Sequence, residues 1–102
     1  MTESVATLTL QDSRLHLGGV VHFDNAEKVC ADGVKLLKQA GKSLVIDMQT
    51  LSSSNSLVVA ILVSWTRIAS SSQQNLHISH MPDKLRAIIR VSGLTTALPE
   101  LP

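Results

Sequence analysis

The 102-residue chain has no tyrosine, one phenylalanine, one tryptophan and one cysteine. With no second thiol, Cys30 excludes an internal disulfide and a thiolate-bound metal cluster, so nothing calls for an oxidising compartment. So few rings leave no stacking platform for single-stranded nucleic acid. Nine basic against eight acidic residues, a net charge of +1, leave no electrostatic footprint for a phosphate backbone. No apolar run approaches the ~18 residues of a membrane span. The opening MTESVATLTL has no basic segment followed by a continuous apolar one. A soluble cytoplasmic protein forming one domain over residues 1–102 is expected. Phosphate-cradling glycine loops (GxxxxGK[ST], GxGxxG), the nucleophile elbow GxSxG and the zinc motif HExxH are all missing. Neither an enzyme nor a bound cofactor is expected.

What the chain does have is apolar residues, 44% of the total, arranged with clear periods. Val5 to Leu10 alternates with a period of two, which predicts a half-buried strand with Ala6, Leu8 and Leu10 inward. Gln11 to Ser13 makes a turn, and Arg14 to Leu17 returns as the second arm of a hairpin, with Leu15 and Leu17 inward and Gly18 and Gly19 at its end. Asp24 suits the N-cap of a helix to about Ala40, with Glu27 completing a capping box, a stripe of Ala26, Val29, Cys30, Gly33, Leu37 and Ala40, and Gly41 as the stop. Ser43 to Ile46 is a strand closing on Asp47. Its consecutive Leu44, Val45 and Ile46 predict cover on both faces. A polar loop from Met48 to Asn55 leads to a helix opening near Ser56, with Val58, Ile61, Leu62, Trp65, Ile68 and Ala69 at core spacing, fraying into Ser70 to Gln74. Leu76 to Ser79 is a fourth strand. Pro82 starts a last helix, Asp83 to about Val91, with Leu85, Ile88 and Ile89 inward, Gly93 at its end and Leu94, Leu98 and Leu101 pinning the tail. The expected fold is α/β: a mixed central sheet of about four strands with three main helices.

Few residues offer chemistry. His77 and His80 are the nearest approach to a metal pair, with Asp83 the only carboxylate at ligand spacing; they fall on opposite faces if the strand continues, and no metal is expected. Cys30 lies on the apolar stripe of its helix, where a small buried thiol is the ordinary case. Asp47, at a strand end with no second carboxylate nearby in sequence, is expected to bond the following loop. Lys84, Arg86 and Arg90 read as a solvated helix face, with an acidic partner or lipid headgroups as the sharper reading.

The loop and helix from Ser52 to Val63 carry the functional expectation. Ser52, Ser53, Ser54, Asn55 and Ser56 lead into a helix N-terminus, as caps and turn formers do, with Ser56 taken as the cap. A phosphoryl group on Ser56 would face the dipole and the free N–H groups; unmodified, the same groups suit a partner's carboxylate or carbonyl. If Val58, Ile61, Leu62 and Trp65 point inward, Leu57, Val59, Ala60 and Val63 lie on the flanks and outer face. A helix apolar all round in so small a chain predicts a protein interface.

Four pieces, L-x-L-G-G (Leu15 to Gly19), V-I-D-M (Val45 to Met48), N-S-x-x-x-A-I-L (Asn55 to Leu62) and R-x-S-G-L (Arg90 to Leu94), occur in an order and spacing that resembles the STAS domain family. The resemblance implies that Ser56 stands at the phosphorylatable hydroxyl, with Asn55 where the family usually has an acid and with Leu57 and Val58 where it favours small residues. These departures favour constitutive docking over a phosphorylation switch. The bare single domain is most similar to the small cytoplasmic STAS subunits of Mla-type phospholipid ABC transporters. That implies a non-enzymatic subunit that binds an ABC ATPase of the MlaF kind and, through it, a permease of the MlaE kind and the inner membrane. The partner-binding residues would be Ser53, Ser54, Asn55, Ser56, Leu57, Val59, Ala60 and Val63. An anti-sigma-factor antagonist phosphorylated on Ser56 is the alternative, and a small-ligand carrier near Asp47 is a third reading.

Overall fold

The computed structural model describes residues 5–101; residues 1–4 and 102 of the expected domain lie outside the described residues. The elements are β1 (Ala6–Gln11), β2 (Arg14–Gly19), α1 (Ala26–Gln39), β3 (Ser43–Asp47), α2 (Ser56–Ser71), β4 (Asn75–Ser79) and α3 (Asp83–Val91). That is the order the periodicity predicts. Asp12 and Ser13, at φ 50° and 67°, form a two-residue turn whose twist matches that of the flanking strands, so Gln11 faces Arg14 and Leu8 faces Leu17. β2 then runs parallel to β3, and β3 parallel to β4, in a mixed sheet of spatial order β1-β2-β3-β4. Parallel neighbours require crossovers, and α1 and α2 supply them.

The register sorts the sheet into two faces. Leu8, Leu10, Leu15, Leu17, Leu44, Ile46, Leu76 and Ile78 share one face, which the helices cover with Val29, Leu37, Val58, Leu62, Trp65, Leu85 and Ile89. Each such side chain contributes about 1.5–3 kcal/mol when fully buried. The opposite face carries Thr9, His16, Asp47 and Ser79 in one row and Gln11, Arg14, Val45 and His77 in the next. β3 is therefore not covered on both faces as its apolar run predicts. Val45 is half-buried on the helix-free side, flanked in register by Arg14 and His77.

Several helix ends differ from expectation. Asp24 lies exposed in a turn and caps nothing; Asn25 precedes α1, and its side chain accepts from the His22 amide and donates to the Val20 carbonyl instead. At the other end the stop is Ala40, in an extended conformation, not Gly41. Gln74 is no frayed tail: its side-chain amide donates to the Leu37 and Gly41 carbonyls, serving the exposed end of α1. α3 closes as expected. Gly93, at φ 73°, donates to Arg90 while Leu94 donates to Ile89, the paired bonds of a glycine-terminated helix. The tail then runs beside β4, through Ile78 N–H to Pro99 and Leu101 N–H to Ile78, with Leu98 buried.

Candidate functional site: the strand-end loops and the head of α2

Because β2 and β3 are parallel, the loops that follow them, residues 20–25 and 48–55, leave from the same end of the sheet. They are bonded to each other along their length. The Gly19 amide donates to Thr50 O (3.0 Å) and the Ser52 amide to Gly19 O (2.7 Å). The Val21 amide donates to Ser53 Oγ and Asn55 Nδ2 to Val21 O, both at 2.9 Å. Gly19 is required here: its φ is +76°, and a β-carbon would lie 2.1 Å from the Val5 carbonyl oxygen.

Asn55 joins this pair of loops to α2. Its backbone is extended, its Oδ1 accepts from the Val58 amide at 3.1 Å, and its Nδ2 holds Val21. The N-cap is therefore Asn55, and Ser56 is the first helical residue with an exposed side chain. A carboxamide has both a donor and an acceptor to offer, which a serine hydroxyl supplies less readily to two directions at once.

The residues expected at an interface divide accordingly. Ser53, Ser54 and Asn55 are half-buried, Ser53 and Asn55 being engaged within the loops. Ser56 and Ala60 are exposed, while Leu57 and Val63 are half-buried on their margins. Val59 is not on the outer face: it is 5% exposed and belongs to the core. The buried arc of α2 is wide because the helix packs on α1, β4 and α3, so it takes in Val58, Val59, Ile61, Leu62, Trp65 and Ala69. What stays open is narrow: Ser56 and Ala60 are exposed, the half-buried Ser64 follows on the same line, and Arg67 is exposed beyond it.

On the helix-free face of the sheet, Asp47 gathers a polar cluster that linear spacing did not disclose. Its Oδ1 accepts from the Gln49 amide (2.9 Å), as expected for a loop-bonding aspartate, and faces His80 Nδ1 at 3.1 Å. Its Oδ2 accepts from Arg14 Nη1 at 2.9 Å, and Arg14 also donates to Ser79 Oγ. Burial, the largest single effect, pushes the Asp47 carboxyl up; the Gln49 amide, Arg14 and His80 together outweigh it and hold it below the usual carboxylate range. These partners commit the carboxylate to holding strand ends together. His80 turns back to Asp47 at φ 57° while His77 lies exposed on the sheet. Among the described residues no group of three or more His, Cys, Asp or Glu is placed to hold a metal ion. Arg86 is paired with Asp83 and Glu100, which raise its pKa, so the cationic face of α3 is partly neutralised, with Lys84 and Arg90 exposed. Cys30 is half-buried, its carbonyl accepting from Trp65 Nε1. Phe23, overlooked in the sequence, is 87% exposed beside this site; the one phenylalanine of the chain, set in a polar loop, was the available signal.

The family described as Mlab, STAS domain, matches residues 5–100. The chain belongs to this family of STAS domains. A chain of the Acinetobacter MlaFEDB complex in an ATP-bound conformation is 28% identical, with TM-score 0.81, over 93% of this chain and 99% of that one. The phosphorylated form of the Bacillus cell fate determinant SpoIIAA shares the fold at 15% identity, with TM-score 0.68, over 96% and 92% of the two chains. An anti-sigma factor antagonist from Mycobacterium paratuberculosis does so at 15% and 0.73, over 98% and 86%. No curated protein sequence gives a significant match. Among the described residues no helix is long and apolar enough to cross a membrane.

Proposed function

We propose that this chain is the STAS subunit of an Mla-type phospholipid ABC transporter. It docks on the ATPase subunit, reaches the permease and the cytoplasmic side of the inner membrane through that partner, and supports assembly and activity of the complex without chemistry of its own. The observation that carries this reading is the end-to-end likeness, at 28% identity, to a chain of the MlaFEDB complex. The surface that serves it is the open stripe of α2. Ser56 and Ala60, flanked by Leu57 and Val63, let a partner approach the helix closely and bury apolar area. The first turn of α2 sets the positive end of its dipole beside the stripe, suited to a carboxylate or carbonyl of the partner.

Purification of the tagged protein from its own cells in mild detergent tests this. Co-recovery of an ABC ATPase with its permease is expected. Recovery of a small soluble kinase without membrane proteins would instead support the antagonist reading, whose one favourable feature is the exposed Ser56 hydroxyl.

A further inference from the structure

We infer that Phe23 is the aromatic anchor of the ATPase docking surface, an inference that rests on the docking reading above. A single exposed apolar residue is common on protein surfaces and by itself means little. Phe23 differs in how it is held and where. It is 87% exposed, yet its turn is tightly built: His22 N–H donates to Asn25 Oδ1, Asp24 N–H to His22 Nδ1, and Asn25 N–H to His22 O. Two residues away, Val21 has its amide on Ser53 and its carbonyl on Asn55. Asn55 in turn caps α2 directly before Ser56. The ring is thus displayed from a turn hydrogen-bonded to the loop that carries the docking stripe, and the two are continuous through one carboxamide.

Such a display suits recognition. A phenylalanine has two side-chain torsions to fix, so it contributes contact area at low entropic cost, and a pre-ordered turn removes most of the remaining penalty. The stripe on α2 is made of small residues and is narrow, and interfaces of that kind draw their affinity from a few large anchors seated in pockets of the partner. The occupant is that of the docking reading, the ATPase subunit of a complex like the one whose chain this one matches at 28% identity, presenting an apolar pocket for the ring next to the surface that receives Ala60.

Calorimetric titration of the purified chain with its cognate ATPase subunit tests the inference, with thermal unfolding measured on the same samples. Phe23→Ala is expected to weaken binding about 10–100-fold with the midpoint of unfolding unchanged, while Phe23→Trp stays within a few-fold of wild type. Ala60→Glu serves as the marker of the α2 stripe. Loss of binding in Ala60→Glu with wild-type affinity in Phe23→Ala overturns the anchor and leaves the docking reading standing. Wild-type affinity in both variants overturns the docking surface and the anchor with it. An independent readout is Phe23→Cys carrying a polarity-sensitive fluorophore: a blue shift on adding the ATPase subunit is expected, and an unchanged spectrum in a complex that forms counts against the anchor.

Discussion

The indole of Trp65 occupies the space that a β-carbon on Gly33 would need. An ideal Cβ at Gly33 would fall 2.1 Å from Cζ2 and 2.3 Å from Cε2 of the ring. Trp65 is fully buried, and its Nε1 is fixed by the Cys30 carbonyl at 3.1 Å, so the ring cannot slide aside without giving up that bond. Gly33→Ala sets two effects against each other. Replacing a mid-helix glycine favours the helix by about 1 kcal/mol, while overpacking a filled core costs about 1–3 kcal/mol. The overlap is deep and its target is rigid, so the second effect wins. A net loss of up to about 2 kcal/mol in urea unfolding is expected, with a changed tryptophan emission; a variant more stable than wild type would show that α1 and α2 can separate freely.

Asn55 performs two tasks, and they can be separated. Asn55→Ala removes the cap on Val58 and the bond to Val21, which together cost about 2 kcal/mol. Asn55→Asp keeps the acceptor and adds charge at a helix N-terminus, which favours it. It also sets a carboxylate against the Val21 carbonyl that Nδ2 now serves. Stability of the aspartate variant is expected to lie between wild type and alanine. A more stable aspartate variant would show that capping outweighs the cross-loop bond.

The elements were legible because their periods differ: the alternation through Leu8 and Leu10 and the helical spacing through Leu62, Trp65 and Ala69 admit one reading each. Gly93 was legible as a helix end because a left-handed residue is needed there. Asp24 suits a cap by residue type, but α1 opens after Asn25, whose side chain is bonded to Val20 and His22 in the preceding turn and leaves the helix without a side-chain cap, which residue type does not foretell. A helical wheel locates the centre of the buried arc of α2 but not its width, which α1 and α3 set by packing on its flanks; Val59 fell on that difference. Arg14 and Asp47 are 33 residues apart, and only the β2–β3 register, which no local pattern encodes, brings them together.

Asp47 ties acid stability to the sheet. Its folded pKa is depressed below the 3.8 of an unperturbed aspartate. Its contribution is therefore fully present above that value and is lost as pH falls through the lower folded pKa. Asp47→Asn is expected to cost about 1–2 kcal/mol at neutral pH, at the lower end for a charge-assisted bond because Arg14 is partly solvated. The gap between wild type and variant should narrow as pH drops below about 4. Denaturant titrations at a series of pH values measure it; a gap constant with pH would mean the carboxylate is not held by charge.

Val59 and Ala60 are neighbours in sequence and opposites in the fold, one in the core and one on the surface. Val59→Glu is expected to unfold the domain, since an unpaired carboxylate in an apolar core costs several kcal/mol. Ala60→Glu should leave stability within about 0.5 kcal/mol of wild type and abolish association with the ATPase subunit. Circular dichroism followed by pull-down distinguishes the two. A folded Val59→Glu variant would mean that this part of α2 is less buried than its packing indicates.

Ser56 places charge where the helix favours it and the proposed interface does not. At the first position of α2 a negative side chain meets the positive end of the dipole, worth about 0.3–1 kcal/mol at an exposed site. The same charge, carried into an apolar contact beside Ala60, would have to shed its water without a partner. Ser56→Asp is therefore expected to raise the unfolding midpoint slightly while weakening docking, a divergence that loss of fold cannot produce. Ser56→Ala should bind as wild type, because Asn55 and not Ser56 caps the helix. Parallel melting and binding measurements on the two variants decide the matter. If Ser56→Asp binds better than wild type, the ATPase subunit offers a cation at this point, and phosphorylation of Ser56 would strengthen docking rather than release it.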